Sequence, residues 1–450
     1  MKATVLVTID SLRADHVGHL GYERDTTPNI DSLAEEGTAF TNAFAHACST
    51  RPSFPSILTS AYSTMYGGYE RVSEDQTLIS ETFDSEGYQT AGFHSNLYLS
   101  ADFDYDRGFD TFYDSKTDPS LTARLRQAVK DRLDSNGLVY QTLARMFDVT
   151  ERQVGANIGS AYVAADEITD LAVDWIDKTD ETNPKFLWVH YMDVHHPYVP
   201  PTKYQSEFQE EPISEHRSIK LRRKMIEEPD AVTEEERSEI IDLYDAEIRF
   251  CDDEIGRLIS RARDAWDDVN VMVTSDHGEE FGEHGKFSHH ATFHDEVIHV
   301  PLVFDDGEHY GTYDDFVGLL DVSPSLVDAA GLSLPENFHG YSLQGLFSGD
   351  WERDCIIGNW INTNTEDRRF AYRDDQWKYI RLGDEEMLFN LKDDPGETTN
   401  VADQHTNVVA RCQDKIDEHK QKVAQTDTDI GDVEMGDQVK ERLRKLGYKE

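Results

Sequence analysis

The sequence predicts an α/β sandwich: a central mixed, largely parallel sheet with helices on both faces, followed by a small C-terminal antiparallel sheet. Three observations point there. Two β-branched apolar runs, Val5–Ile9 and Val271–Thr274, lead into Asp10 and into Asp276-His277. Such runs read as strands buried on both faces. Helical spacing separates the runs, and beyond residue ~352 the pattern changes to short strands with turns rich in Asp and Gly. In open α/β sheets the carboxyl ends of the strands converge on the active site. Asp10, Asp276 and His277 are therefore expected to meet, although more than 260 residues separate the first from the others.

Residues 1–113 alternate strand and helix. Thr27 and Pro28 open a helix that Gly37 is expected to stop. Ala39–Ala45 reads as a strand, and Gln89–His94 as another. Residues 115–180 are helix-like. Lys185–Tyr191 is a core strand that runs into Met192–Tyr198. Residues 203–236 are charged without a clear period and read as an insertion over the site or a surface lobe. From 237 to 263 the apolar positions Ile240, Leu243, Tyr244, Ile248, Ile255 and Leu258 fall at helical spacing. Residues 270–304 return to the sheet. Arg369–Arg373, Trp377–Leu382 and Glu386–Leu391 are the strands of the small sheet, and the last fifty residues read as helical and solvated. The expected division is a catalytic α/β domain over 1–351, with variable insertions at 115–180 and 203–236, and a subdomain with a polar tail over 352–450.

Lys and Arg total 43 against 89 Asp and Glu, a net charge of −46. That balance excludes nucleic-acid binding, which needs a basic surface. The acidic residues are spread through the chain, and 10% aromatic content argues for a folded core beneath an acidic surface. Self-repulsion of this size is a lever of proteins adapted to high salt. The four cysteines lie far apart with no Cys-x-x-Cys pair, so zinc-finger spacing is absent. No leader pattern precedes the first strand, and no apolar run reaches the ~18 residues of a membrane span. The expectation is a soluble protein in the cytoplasm of a high-salt organism.

The segment Ala47–Ser60 places the hydroxyl of Thr50 at the start of a predicted helix. Read with the two strand-end motifs, it resembles the nucleophile motif of the sulfatase family of the alkaline phosphatase superfamily, Cys/Ser-x-Pro-x-Arg-x-Ser-x-Leu-Thr-Gly. Aligning Ser56–Ser60 on its tail puts Thr50 at the nucleophile, Pro52 at the proline and Phe54 at the arginine. Further blocks follow in family order up to residue ~400: Tyr244–Ile248, Asp252–Gly256, Val300–Leu302 and Asp321–Leu326.

Alone, Asp10 reads as a strand-end aspartate capping a helix, and Asp276 as a helix N-cap. Together with His277 they form a metal set. A carboxylate–imidazole set suits Mn²⁺ or Zn²⁺ better than a site of oxygen ligands alone. Many sulfatases have two adjacent aspartates where this chain has Asp10-Ser11, so one carboxylate is missing. The cofactor expected is one divalent metal ion (Mn, Zn, Ca or Mg, with Mn or Zn favoured), bound by Asp10, Asp276, His277 and the Thr50 oxygen. Thr50 is either an ordinary helix cap or, beside a metal, the nucleophile. The resemblance implies that His195 binds ester oxygens or assists the leaving group. It also implies substrate binding by His94 and Asn96, where many sulfatases have Lys-x-His. Counting back from Val300-Pro301-Leu302 puts His290 at the family's second substrate lysine, with Lys286 the other candidate.

The function expected is metal-dependent hydrolysis of a small-molecule or glycan sulfate ester, or a phosphate-type ester, through Thr50. A threonine cannot become the formylglycine of true sulfatases, which leans the chemistry toward phosphorus. The alternatives are a phosphodiester or phosphonate monoester hydrolase, a phospho-group transferase, and a glycan-binding protein without activity. The charge yields a prediction independent of these: salt screens the repulsion, so the melting temperature should climb strongly from dilute buffer to molar KCl. A melting temperature that ignores salt would reject the high-salt reading.

Overall fold

A computed structural model describes residues 2–67, 71–115, 162–180, 182–290, 292–361 and 367–426. The part of the 115–180 insertion from 116 to 161 and the polar tail from 427 onward lie outside the described residues. The strands are β1 (Lys2–Ile9), β2 (Thr38–Phe40), β3 (Ala43–Phe44), β4 (Gln89–Phe93), β5 (Thr111–Tyr113), β6 (Lys185–Tyr191), β7 (Asp268–Ser275), β8 (Glu280–Phe281), β9 (Phe287–Ser288), β10 (Leu302–Asp305), β11 (Gly311–Tyr313), β12 (Val317–Gly318), β13 (Ile356–Ile361), β14 (Arg368–Arg373), β15 (Trp377–Leu382) and β16 (Glu385–Asn390).

Among the described residues, eight strands form the central sheet in the order β11-β2-β10-β7-β1-β6-β4-β5. β1 lies between β6 and β7, parallel to both, and β10 runs antiparallel to both its neighbours. Side chains alternate across a strand. Val5, Val7 and Ile9 accordingly join the core on one face, and Leu6 joins the core on the other. The Val5–Ile9 core is covered by α1 (Pro28–Glu36) and, farther along the chain, by Ala165–Lys178 and Glu234–Ala265. The Leu6 core is covered by α2 (Thr50–Thr59), Ile79–Ser85 and Val322–Ala329. Residues 39–45 are not one strand but the separate β2 and β3, which pair with different partners, β10 and β12.

Gly37 ends α1, yet not through a left-handed turn: its φ is −126°. A Cβ there would lie 2.8 Å from the Phe304 carbonyl oxygen, so glycine is required by the close approach of β10. Residues 203–236, which show no clear sequence period, contain the helices Thr202–Phe208 and Glu215–Glu227. The second buries only Ser218, Leu221 and Met225, too few apolar positions to stand out among its charges.

The 32-residue helix Glu234–Ala265 opens on a capping box, with Thr233 Oγ1 accepting from Glu236 N and Glu236 Oε2 accepting from Thr233 N. Its buried polar groups brace segments distant in sequence. Asp252 caps α1 by accepting from the Asn29 and Ile30 amides, each at 2.9 Å. Asp245 accepts from Tyr22 and Arg24, each at 2.7 Å, and pairs with His16 Nδ1 at 2.7 Å. The Tyr244 hydroxyl donates to Ser11 O at 2.7 Å and accepts from Arg13 N at 2.9 Å, fixing the loop after β1.

The small sheet is an antiparallel meander, β13-β14-β15-β16, packed on the helix Thr406–Val423. Asp374 Oδ1 accepts from the Gln376 and Trp377 amides in the β14–β15 turn, and Gly383 at φ +63° opens the β15–β16 turn. Fully buried Lys378 of β15 reaches out of this sheet to Asp295 Oδ1 at 2.5 Å and Glu397 Oε1 at 3.1 Å. Arg373 also pairs with Asp295, at 3.1 Å.

Tyr244→Phe tests the bracing. It strands a buried amide and a buried carbonyl, at a cost of about 1–3 kcal/mol. The urea unfolding midpoint should fall without gross change in the far-UV spectrum. An unchanged midpoint would show that the hydroxyl carries no load.

Candidate active site

Four neighbouring parallel strands, β7, β1, β6 and β4, end on the same edge of the sheet. Asp276-His277 follows β7, Asp10 follows β1, Met192–His195 follows β6 and His94–Asn96 follows β4. The ladder continues one step past the strands: Asp10 N donates to Tyr191 O at 2.8 Å and Asp276 N to Ile9 O at 3.4 Å. Ser11 then turns the chain at φ +62°. A non-glycine residue there stores about 1–2 kcal/mol of strain per residue. Its surroundings hold it: Ser11 N donates to Asp276 Oδ1 at 3.2 Å, and its hydroxyl to Asp10 Oδ1 at 2.9 Å.

Asp10, Asp276 and His277 are fully buried, and their ligating atoms lie within 4.8 Å of one another. Burial, and then the charge of Asp10, push the Asp276 carboxyl well above the ordinary range. Burial acts the same way on Asp10, but His190, His195 and His277 outweigh it and hold that carboxyl low. Burial, reinforced by His289, brings the His277 imidazole down to about 3, so it is neutral. His277 Nδ1 faces Gly278 O at 2.8 Å; with the proton there, Nε2 turns a lone pair toward the carboxylates, 3.7 Å from Asp10 and 3.5 Å from Asp276. Asp276 Oδ2 is buried without a hydrogen-bond partner. Two carboxylates, one orphaned oxygen and a correctly turned neutral imidazole fit a divalent cation.

Thr50 is the first residue of α2. Ser49 is its N-cap and uses no side-chain cap bond. The Thr50 hydroxyl instead enters the set, donating to Asp10 Oδ2 at 3.3 Å and lying 3.4 Å from His277 Nε2. Asn96 Nδ2 donates to the same Asp10 oxygen at 3.2 Å. Phe54, at the family's arginine position, packs edge-on against His190 with ring centroids 4.9 Å apart. The buried Cys48 thiol is pushed up to about 12 by burial, which leaves it protonated and inert.

His195 is buried, with Nδ1 2.6 Å from His196 O. Its ring lies 5.1 Å from that of His289, which lies 4.4 Å from that of His277. Burial lowers the His289 imidazole, but the Glu279 carboxylate, 3.5 Å away, outweighs it and raises the net value. His290 and Lys286 are exposed, and Lys286 acts electrostatically on His290. His94 is buried between Trp188 and Phe112, its ring 5.1 Å from each, in an aromatic layer behind the trio.

Three residues at the site were not anticipated: His190, His289 and Glu279. His190 pairs in register with Thr8, bonds its hydroxyl at 3.0 Å and points Nε2 at Asp10 Oδ2, 3.5 Å away. Its place at the end of an apolar run was the available signal. His289 differs by one position from His290, and Ser288 just before it has a φ of +72°.

The family model described as Sulfatase matches residues 2–332. The chain belongs to the sulfatase family. It is thereby a sulfuric ester hydrolase of the alkaline phosphatase superfamily, a family whose members use a divalent metal ion. A second model, described as N-sulphoglucosamine sulphohydrolase, C-terminal, matches residues 282–422 of this sulfatase. An arylsulfatase of Clostridium perfringens is 25% identical over 441 residues, 88% of this chain and 89% of that protein. The solved phosphonate monoester hydrolase of Agrobacterium radiobacter has a TM-score of 0.72 at 20% identity, covering 94% of this chain and 96% of that one. A structure solved in complex with its substrate D-glucosamine-2-N,6-O-disulfate has a TM-score of 0.71 at 18% identity, covering 96% and 99%. These two likenesses are of fold.

The geometry predicts that replacing Asp276 and His277 together by Ala releases one equivalent of divalent ion and abolishes turnover. Metal analysis showing undiminished content in that variant would reject the trio as ligands.

Proposed function

We propose that this sulfatase hydrolyses a sulfate or phosphate-type ester with the Thr50 hydroxyl as nucleophile, beside a divalent ion held by Asp10, Asp276 and His277. One observation carries the reading: Thr50 Oγ1 lies within 3.3 Å of Asp10 and 3.4 Å of His277, at the N-terminus of a ten-residue helix. A bound ion there supplies Lewis acidity and lowers the pKa of a neighbouring hydroxyl. The positive end of α2 favours the anionic group of the ester.

The chain's own residues do the rest. The Thr50 proton lies toward Asp10 Oδ2. Oγ1 forms a bond to sulfur or phosphorus as the bond to the ester oxygen breaks, and water then cleaves the adduct. His289, whose imidazole Glu279 pushes toward the protonated form, and the Asn96 amide face the peripheral oxygens, the electrostatic contribution that usually matters most. This gives His289 the role first read for His290, and leaves His290 and Lys286 to meet the far part of the substrate at the rim. His195 acts on the leaving side. The arylsulfatase relative and the disulfated-glucosamine complex support an aryl or glycan sulfate as substrate.

A second reading rests on Thr50 itself. A formylglycine hydrate expels sulfate by elimination; a threonine sulfate has no such route and needs water to attack sulfur. A threonine phosphate is cleaved by attack at phosphorus, so phosphate or phosphonate esters suit this nucleophile.

Side-by-side turnover of aryl sulfate, phosphate monoester, phosphodiester and phosphonate, with defined metals, separates the two. Thr50→Ala should lower kcat by ~10³-fold or more, and Thr50→Ser should keep part of the activity. Mass spectrometry after acid quench should find a sulfo or phosphoryl adduct on the Thr50 peptide. Wild-type rates in Thr50→Ala would reduce Thr50 to a helix residue.

A further inference from the structure

Outside the active-site trio, a second group of ligands gathers on the back of the hairpin that follows it. β8 and β9 form this hairpin, and Glu280 begins it. Glu279 faces His289 in the active site, while Glu280, the next residue, faces away and meets His284 and His294. Glu280 Oε1 lies 3.0 Å from His294 Nδ1. His284 Nε2 lies 3.1 Å from Glu296 Oε2. The His284 and His294 rings are 3.5 Å apart and nearly parallel, at 16°.

We infer that Glu280, His284 and His294 bind a second divalent transition-metal ion, independent of the active-site ion and of the reaction proposed above. One ligand atom from each lies within 4.8 Å of the other two. That spacing lets three ligands close on one ion at bond lengths of about 2.0–2.2 Å. Two imidazoles and a carboxylate are the donors of Zn²⁺ and its neighbours rather than of Ca²⁺ or Mg²⁺.

A separate observation points to the missing ligand. Glu280 is 1% exposed, and its Oε2 has no hydrogen-bond partner. Oε1 has His294 as its partner, but a buried carboxylate oxygen left unpaired is costly unless it finds a hydrogen bond or coordinates a metal. The two rings are stacked as they stand, and both must turn for their lone pairs to converge on one ion. The ligands also have support and access. Thr292 Oγ1 holds His294 Nδ1 at 3.0 Å. The side chains of His284 and Glu296, 12% and 14% exposed, open the site to solvent, and Glu296 is placed to complete the shell.

The role that follows is structural. An ion joining Glu280 and His284 on the hairpin to His294 beyond it would clamp the segment that carries Glu279 and His289. Glu279 and His289 would then be fixed from behind.

The test is metal stoichiometry on the full chain. Apo-protein loaded with Zn²⁺ and desalted should hold two equivalents. The Asp276→Ala/His277→Ala variant should hold one, and cobalt loaded into that variant should give the visible absorption of a four-coordinate site. Adding His284→Asn or Glu280→Gln should remove this remaining equivalent and its absorption. A single equivalent in the wild-type chain that is lost in the Asp276→Ala/His277→Ala variant overturns the proposal. So does a second equivalent that persists in both the His284→Asn and Glu280→Gln backgrounds. A single equivalent that survives in the Asp276→Ala/His277→Ala variant and is lost with Glu280 or His284 upholds it and rejects the active-site ion instead.

Discussion

Two carboxylates that cannot comfortably share one dry site govern this molecule. Asp10 and Asp276 end adjacent strands, and the sheet delivers them side by side with no freedom to separate. Burial penalises both charges, and each penalises the other. The fold responds by gathering imidazoles and donors around them: His190, His195, His277, Asn96 and Thr50. The chemistry of the site is an outgrowth of that electrostatic conflict. On the proposed reading a bound cation would resolve it, and the Thr50 hydroxyl beside that cation would exploit it.

The placement is enforced from a distance. Ser11 holds a left-handed backbone only because Asp276, Asp10 and Tyr244 grip it. Tyr244 belongs to a helix that contributes no ligand. Asp245 and Asp252 of the same helix tie down the 16–24 loop and the start of α1. Buried polar groups must be satisfied, and in this helix their partners are loop backbones and loop side chains. A packing element thus doubles as the jig that sets the position of Asp10.

Much of this was legible in the residues, and the boundary of legibility has physical causes. Asp10, Asp276 and His277 could be brought together because strand ends converge, a rule that spans any sequence distance. Thr50 and Asn96 came with them through the resemblance to the sulfatase family. His190 was hidden because a histidine inside an apolar strand looks like core; only its register with Thr8 shows where it points. His289 was hidden by its neighbour: a count back along the chain fell one position away, on His290. The 215–227 helix was hidden because three buried positions give a weak period amid charge. Gly37 was read as the stop of α1 and does end it, but what requires a glycine there is the close approach of another strand.

The buried contact of Lys378 with Asp295 and Glu397 changes what counts as a separable part. The small sheet begins at β13, and a change of sequence pattern invites a cut just before it. Yet its most deeply buried cation belongs electrically to Asp295, a residue that follows the catalytic hairpin. A graft that exchanged this sheet for a foreign one would carry a lysine away from two acids with no water to replace it. The C-terminal sheet is therefore not cargo on an autonomous enzyme. Recombination between relatives would have to preserve this ion cluster across the join, which makes the whole chain, rather than its catalytic half, the unit that can be exchanged.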